Sequence, residues 1–252
     1  MVPLLWPRFA LLALILSTVC PDLLAGQAAP STPNPQPLEA ARRLELTMWL
    51  GGAGGGPGGS LESVLQAAGF DDLRPGFKHG SGSPSLKSDD IGLGYSFDAR
   101  IPLRRPLSLV VVFARTEPGG ARGYRATPEC CGDYLFLQNA VQTFAAVVAV
   151  GARGVHVGLG PALHRTRVRE ETYGQSGDTK SSRLGALLQV RATVPHGSRV
   201  FFGVKGEYRY IPVTTVGPFI PNRIADASDM SPLIGRIRFS HAFVGLGLGV
   251  RF

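Results

Sequence analysis

The chain has 252 residues, of which 44% are hydrophobic and 17% are charged, and its formal net charge is +8. The charged fraction lies below the value of about one quarter that is usual in soluble domains. Apolar residues recur along the whole chain, which excludes a disordered protein. No stretch approaches the run of about eighteen apolar residues that a transmembrane helix needs, whereas a membrane-spanning β-strand needs only about 9–11 alternating residues.

The N-terminus has the features of a secretory signal. Arg8 supplies a positive charge ahead of Phe9–Val19, an apolar segment of eleven residues that is too short to span a bilayer. We predict a signal peptide over 1–28, a Pro-rich periplasmic linker over 29–41 and a single domain over 42–252. An exported basic protein does not meet nucleic acid, so we expect anionic lipid headgroups as the partners of its positive charge.

Apolar and polar residues alternate through eight segments of the predicted domain, which is the pattern of half-buried β-strands. The alternation is clearest in Ile91–Ile101, where large apolar residues alternate with Gly, Ser, Asp and Arg. We predict strands over residues 42–51, 89–102, 106–116, 134–150, 154–165, 182–194, 199–213 and 236–252.

Long and short connections alternate between these segments. In order they hold about 36, 3, 17, 3, 16, 4 and 22 residues, and membrane barrels of the bacterial outer membrane pair long extracellular loops with short periplasmic turns in the same way. The short connections near Arg104, Arg153 and Gly197 are then periplasmic. The sequence therefore predicts an all-β fold, an eight-stranded antiparallel up-and-down transmembrane β-barrel.

The first long loop contains a predicted short helix. Ser60 is a suitable N-cap, Glu62 falls in the first turn, and Gly69 is a suitable C-terminal stop. Apolar residues recur on one face of this helix: Leu61, Val64, Leu65 and Ala68. We favour a helix that caps the barrel mouth over the alternative, a contact surface for a ligand, lipid or partner.

The apolar face of the strands is expected to point outward. It carries Leu, Phe, Tyr and Val, whereas the other face carries Gly, Ala and charged residues. The interior of an eight-stranded barrel is only just wide enough for side chains, so glycines on that face leave room for long Arg, Lys and Glu side chains. The alternative is a soluble secreted barrel whose apolar face surrounds a ligand.

Ten charged residues share the predicted inward face, seven basic and three acidic, which is an excess of +4. Buried charges must be paired or hydrated, so we expect a lumen charge network. Its predicted members are Arg43, Glu45, Asp98, Arg100, Arg183, Arg191, Lys205, Glu207, Arg209 and Arg251. Two interpretations follow: a polar barrel core, which we favour, and a narrow anion-preferring passive channel.

The last strand, HAFVGLGLGVRF, resembles the C-terminal assembly signal of bacterial outer-membrane β-barrel proteins. Apolar residues alternate through Leu248 and Val250 up to the aromatic Phe252, and Gly247 stands five places before the end. The pattern departs at Val250, where an aromatic residue is preferred, and at Gly245, where a polar residue is usual. Through nearly the whole predicted domain the chain resembles the OmpA/OmpX-like class of small eight-stranded barrels. This resemblance implies the bacterial cell outer membrane, a monomer, and contact with the barrel assembly machinery during biogenesis.

Cys130 and Cys131 are adjacent in the second long loop. In an oxidising compartment they either form a vicinal disulfide or remain thiols. The CxxC spacing of many metal sites is absent, and we predict no cofactor and no metal site.

Histidine-based catalysis is not expected. Small outer-membrane barrels include lipid A deacylases, which resemble one another in a His-x-Ser pair near the external membrane boundary. Here the segment 196–198 matches those letters but falls in a predicted periplasmic turn, and 164–166 carries Thr in place of Ser. Ser240 and His241 are neighbours on a strand and point to opposite faces. We therefore predict no catalytic residues and no enzyme.

The predicted function is a structural or surface-interaction role through the extracellular loops, with an unidentified loop partner. The alternatives are the anion-preferring channel, a lipid-modifying enzyme and the soluble ligand-binding barrel. Basic residues predicted in or beside the loops either contact lipopolysaccharide phosphates or form a solvated rim: Arg122, Arg125, Arg165, Arg167, Arg169 and Lys180.

Overall fold

The computed structural model describes residues 43–67, 70, 87–89, 91–104, 106–125, 133–152, 154–172, 175–195, 198–218 and 234–252. The predicted signal peptide and Pro-rich linker lie outside these residues, as do Cys130 and Cys131. Within the described ranges, no helix has both the length and the hydropathy to cross a bilayer.

The described part of the chain is built almost entirely from β-strands. In chain order its elements are β1 (Glu45–Gly54), α1 (Gly58–Ala67), β2 (Lys87–Asp89), β3 (Ile91–Pro102), β4 (Leu107–Thr116), β5 (Gly120–Arg125), β6 (Asp133–Ala152), β7 (Val155–Thr172), β8 (Gln175–Val194), β9 (Val200–Tyr210), β10 (Thr214–Val216), β11 (Gly235–Ile237) and β12 (His241–Arg251).

Eight of the described strands form a closed antiparallel ring. Its order is β1, β3, β4, β6, β7, β8, β9 and β12, and β12 returns to β1. Closure is visible at Glu45 of β1, which pairs with Arg100 of β3 on one side and with Arg251 of β12 on the other. The predicted eight-stranded up-and-down barrel is therefore confirmed, and the last strand is the one that closes it.

Side chains alternate between the two faces of the barrel wall, and the apolar face points outward. In β9, Phe202 and Val204 are exposed on the outside, whereas Lys205 and Glu207 point inward and are buried. The two strands beside β9 in the ring alternate in the same sense, with buried inward and exposed outward residues. The prediction that the apolar face lies outside is confirmed.

The prediction of a third long connection is wrong. β7 runs on to Thr172, β8 begins at Gln175, and the two strands stay paired along this whole length. Residues 166–172 and 175–181, predicted as part of a loop, instead extend the β7–β8 hairpin beyond the apolar part of the wall. Strand pairing requires only backbone N–H and C=O groups, so polar residues continue a strand where no lipid selects apolar side chains.

Short strands extend the wall at the same end of the barrel. β5 follows β4 along β6, and β2 pairs with β5. β10 and β11 form a separate hairpin beyond β9 and β12. Apolar alternation does not indicate these strands, because each of them spans only three to six residues.

Helix α1 closes one end of the barrel, which we call the loop end; the end that carries the three short connections is the turn end. The buried residues Leu61, Val64 and Leu65 of α1 pack into an apolar cluster with residues of the surrounding strands. The other members of this mouth cluster are Phe70, Ala121, Leu135, Leu137, Val141, Val168, Ile211, Val216, Ile237 and Phe239. The predicted short helix is confirmed, and its apolar face is used to cap the barrel.

The predicted N-cap of this helix is wrong. α1 begins at Gly58, so Ser60 lies inside its first turn, and the turn closes through a 2.8 Å hydrogen bond from Leu61 N–H to the Pro57 carbonyl. The Ser60 hydroxyl accepts a hydrogen bond of 3.4 Å from the backbone N–H of Arg238 instead. Ser60 therefore joins α1 to the segment between β11 and β12.

Aromatic rings fill the space that the inward glycines of β12 leave open. A Cβ at Gly247 would lie 2.3 Å from Cε3 of Trp49, and a Cβ at Gly249 would lie 2.3 Å from Cζ of Phe201. The opposite side of the lumen is lined by apolar residues of β4, β6, β7 and β8: Val110, Val112, Ala114, Ala145, Val147, Ala149, Ala162 and Leu187. The glycine-rich face of the last strand thus accommodates large buried rings.

Substitution of Gly247 by Ala is expected to lower the free energy of unfolding by about 1–3 kcal/mol, because the new methyl group overpacks the Trp49 ring. Gly206 of β9 is the matched control, since a Cβ there would have no heavy atom within 4 Å. Gly206→Ala is expected to change the free energy by less than about 0.5 kcal/mol. Urea unfolding of the purified barrel, followed by gel mobility, measures both. Equal losses in the two variants would contradict this explanation of Gly247.

Candidate functional site

The first charge cluster of the lumen is centred on Glu45 near the turn end. Arg251 Nε donates to Glu45 Oε1 at 2.8 Å, and Arg100 Nη1 lies 3.1 Å from the same oxygen. Arg191 Nη2 donates to Oε2. Three guanidinium groups from three different strands therefore surround one carboxylate.

The second charge cluster lies beside the first and holds as many anions as cations. Lys205 Nζ lies 2.9 Å from Asp98 Oδ1 and 2.6 Å from Glu207 Oε1, and Arg209 Nη2 lies 2.5 Å from Glu207 Oε2. Trp49 Nε1 donates to Asp98 Oδ2 at 2.9 Å. The Lys205 ammonium also lies 5.1 Å from the centroid of the Trp49 ring, a cation–π distance.

Eight of the ten residues predicted for the lumen network lie in these two clusters. Arg43 precedes β1 and is half-buried, and Arg183 is exposed although it shares the inward register of β8. The paired set holds five cations and three anions, so its excess is 5 − 3 = +2 rather than the predicted +4. Arg183 does not join the lumen network because it lies where β8 begins to leave the apolar part of the wall.

Large side chains fill the middle of the lumen. Those that are less than 2% exposed include three charged residues of the clusters and three aromatic residues: Arg191, Lys205, Arg209, Trp49, Phe201 and Phe243. Trp49 occupies an inward position in the predicted alternation, so the sequence pattern already predicts that its side chain points into the lumen.

Polar residues outside the predicted network join the second cluster from other strands. His241 Nδ1 lies 2.8 Å from the Phe239 carbonyl and Nε2 lies 2.8 Å from Thr116 Oγ1. Because a carbonyl only accepts, Nδ1 carries the proton and Nε2 accepts from Thr116. Arg209 Nη1 in turn donates to Thr116 Oγ1 at 3.0 Å. This chain joins β4, β9 and β12 across the lumen.

Two of the residues considered for catalysis, His164 and Ser240, are hydrogen-bonded to neighbouring residues of the barrel. His164 Nδ1 lies 3.0 Å from Thr143 Oγ1 and both side chains are buried. The Ser240 hydroxyl accepts from the Ile211 N–H at 2.9 Å and donates to the Ile211 carbonyl at 3.0 Å. Residues 196 and 197 lie outside the described part of the chain. Within the described part, no group of three or more His, Cys, Asp and Glu side chains is arranged to hold a metal ion.

The predicted assembly-signal residues divide between the two faces of β12. Leu248, Val250 and Phe252 are exposed on the outer face, and Gly247 lies on the inner face beneath Trp49. Three of these four residues therefore lie on the outer surface of the barrel.

A row of basic residues continues the outer face of the β7–β8 hairpin at the loop end. Leu163 is the last apolar residue of the outward register in β7, and Arg165, Arg167 and Arg169 follow it. Lys180 of β8 lies directly opposite Arg167. We call these four residues the basic row.

Two members of the basic row have partners within the hairpin. Arg167 Nε donates to Asp178 Oδ1 at 2.7 Å, and Arg169 Nη2 lies 2.7 Å from Glu171 Oε1. The hydrogen bond from Arg167 holds the pKa of the Asp178 carboxyl below its ordinary value. With four cations and two anions, the outer face of the hairpin keeps an excess of +2.

The combination of a closed ring, an apolar outer face and a charged lumen decides the fold. The chain has the fold of a small eight-stranded outer-membrane barrel. No protein-family model matches it, and no curated protein does.

Solved structures of small barrels are similar to this chain in topology. Neisserial surface protein A is 14% identical at a TM-score of 0.41, and the match covers 83% of this chain and 97% of that one. The attachment invasion locus protein Ail of Yersinia pestis is 12% identical at a TM-score of 0.39, with 83% and 98% covered. The N-terminal β-barrel domain of Pseudomonas aeruginosa OprF is 8% identical at 0.37, with 84% and 98% covered.

Substitution of Glu45 by Gln is expected to lower the free energy of unfolding by about 3–5 kcal/mol, because three guanidinium groups, each at most 14% exposed, lose their common carboxylate. Glu171→Gln is the matched control, since the Glu171 side chain is 44% exposed where it meets Arg169. Its expected effect is less than about 1 kcal/mol. Urea unfolding curves of the two variants make the comparison. A Glu45→Gln barrel as stable as the control would show that the first cluster contributes nothing to stability.

Proposed function

We propose that this protein resides in the bacterial outer membrane as a closed barrel and acts in surface interaction or as a structural component through its loop end. The observation that carries the proposal is the pairing of an apolar outer wall with a lumen filled by side chains. Such a barrel is embedded in lipid on the outside and has no continuous passage on the inside. Its interaction surface is then the part beyond the wall.

The height of the apolar wall supports a membrane location. On β8 the outward apolar residues run from Leu184 to Val194, both of which are exposed. Ten residue steps at about 3.3 Å and a strand tilt of about 40° correspond to about 25 Å, the height of the apolar band of outer-membrane barrels.

An aromatic group near the upper edge of this wall supports the same location. The ring centroids of Phe113 and Phe144 lie 5.1 Å apart, and those of Tyr95 and Phe113 lie 6.4 Å apart. Aromatic girdles flank the apolar band of outer-membrane barrels at both interfaces. The guanidinium of Arg165 lies 5.6 Å from the Phe144 centroid, so the basic row begins at this level.

The contents of the lumen favour a closed barrel over the alternative of a passive channel. Trp49, Lys205 and Arg209 are buried at its centre, where they contact one another or share partners. Above them, the mouth cluster of α1 covers the loop end. An ion would have to displace both layers, since an eight-stranded barrel has room for little besides its side chains.

The protein is expected in the outer-membrane fraction, where unboiled samples in detergent migrate differently from boiled ones, because a closed ring of strands resists unfolding by detergent. Reconstituted into planar bilayers, it is expected to give no conductance above the lipid background. Protein in the soluble periplasmic fraction with no mobility shift would contradict the membrane location. A steady anion conductance would contradict the closed lumen while leaving the location intact.

A second proposal concerns lipid, and we infer that the basic row binds the phosphate groups of lipopolysaccharide. Arg167 and Lys180 are directly opposite each other across the hairpin, and like charges in that arrangement destabilise a strand pair. Asp178 compensates the charge of Arg167, and a phosphate beside the pair compensates the remaining positive charge. The row also begins one register step beyond Leu163, which is where an outer apolar wall meets lipid headgroups.

The double variant Arg167→Gln and Lys180→Gln is expected to weaken binding of the detergent-solubilised protein to immobilised lipopolysaccharide by about three- to tenfold, the result of removing two charge-assisted contacts at an exposed site. The matched control is Arg104→Gln with Arg199→Gln, two exposed residues at the turn end. Binding of the wild type is expected to fall as salt is raised. An equal loss in the control variant, or binding that salt does not change, would contradict the phosphate contact.

A further inference from the structure

We propose that the lumen holds a small inorganic anion of the chloride class, bound by Arg191 and Gln189 of β8 beside the first charge cluster. The proposal concerns the inside of the barrel and does not depend on the surface role proposed above. It follows from the charge balance of the lumen and from the buried donors that face it.

The charge excess of the lumen is confined to one of its two clusters. Lys205 and Arg209 are matched by Asp98 and Glu207, so the second cluster is neutral. The first cluster sets three arginines against Glu45 alone and has an excess of +2. Buried charge without compensation is costly in a low-dielectric interior. The excess therefore favours a site for a negative charge near Glu45.

Arg191 has donors that the cluster does not use. It is 1% exposed, and only its Nη2 is engaged, in the ion pair with Glu45. Its Nε and Nη1 have no hydrogen-bond partner among the described residues. By contrast, Arg251 uses all three of its nitrogens, on Glu45, on Thr193 and on the backbone carbonyls of the nearby turn. Arg191 is thus the guanidinium of this cluster that is available to bind a ligand.

Gln189 supplies a second buried donor on the same face of β8. It lies two residues from Arg191, is 1% exposed, and neither atom of its amide group has a partner among the described residues. Thr47 of β1, two residues from Glu45 on the inward face, likewise has a buried hydroxyl without a partner in the described ranges. Buried polar groups of native proteins are nearly always hydrogen-bonded.

The chemistry of these groups selects an anion. Arg191 offers N–H groups at two nitrogens and accepts nothing, the Gln189 amide offers two N–H groups against one acceptor oxygen, and Thr47 offers a hydroxyl. A cation would be repelled by the positive charge of the Arg191 guanidinium group. A small anion, with water beside it, satisfies the donors and reduces the +2 excess at the same time.

Exposure within the cluster indicates a route from the turn end. The side chains of Arg191, Arg251 and Arg100 are 1%, 7% and 14% exposed. The two more exposed arginines are the outer members of the cluster, and the more enclosed Arg191 carries the free donors. An anion therefore reaches the site past Arg100 and does not have to cross the second cluster or the mouth cluster.

Chloride dependence of unfolding tests the proposal in solution. The barrel in detergent is unfolded at one fixed urea concentration, in sodium chloride or in sodium gluconate of equal ionic strength. Wild-type protein is expected to unfold about tenfold more slowly in chloride at ten times its dissociation constant, with saturation as chloride is raised. Gluconate is too large for the enclosed position and is expected to have no such effect.

Variants separate the site from general salt effects. Gln189→Leu, which removes donors without changing charge, is expected to reduce the chloride response to less than about twofold. Thr193→Val is the matched control on the same inward face of β8, because the Thr193 hydroxyl is already bonded to the Gly154 carbonyl and to Arg251. It is expected to keep the full response. Arg191→Met provides a second variant at the site, and its chloride response is compared within that variant, so a loss of stability leaves the comparison intact.

Bromide locates the ion directly. Crystals soaked in bromide are expected to show an anomalous peak within hydrogen-bonding range of Arg191 Nε or Nη1 and of Gln189 Nε2. The proposal is overturned if wild-type unfolding is the same in chloride and gluconate, which would make a bromide peak an adventitious ion only. It is also overturned if Thr193→Val loses the response as completely as Gln189→Leu.

Discussion

Closure of the sheet between β1 and β12 is the constraint on which the other features of this barrel depend. A strand edge in lipid leaves backbone groups without partners, so a spanning sheet must close on itself. Closure at eight strands leaves an interior only just wide enough for side chains. The small residues of β12 follow from this, because Gly247 and Gly249 give space to Trp49 and Phe201. The strand that closes the ring therefore carries glycines in the middle of its inward face.

The same narrow interior determines how the buried charges are arranged. Glu45 receives arginines from β3, β8 and β12, and Glu207 joins Lys205 to Arg209 within β9. Two of the lumen pairs, Arg191 with Glu45 and Lys205 with Asp98, connect strands that are not neighbours in the ring. They fill the lumen with paired side chains, which is the physical basis for proposing that the protein acts through the surface beyond the wall. The remaining excess near Glu45 distinguishes the turn end of the lumen from its centre.

The loop end combines an apolar plug with a polar rim. The apolar face of α1 is buried in the mouth cluster, so the helix offers a partner only its polar side. The β7–β8 hairpin stands beyond the apolar wall and presents the basic row outward. Among the described residues of this end, a partner therefore meets charge and backbone rather than an apolar groove. The lipid phosphates proposed above are a partner of that kind.

The sequence by itself determined the number of ring strands, the inward and outward faces of the clearly alternating strands and the charged character of the lumen. These are local properties, since side chains alternate with a period of two along any strand. Only the tertiary structure decided which charges pair: Arg191 meets Glu45 across 146 residues of chain, a result of strand order and register. It also decided that residues 166–172 and 175–181 continue a hairpin and that Ser60 bonds to Arg238 rather than capping α1. Backbone pairing and packing partners determine these features, and neither produces a periodic pattern in the sequence.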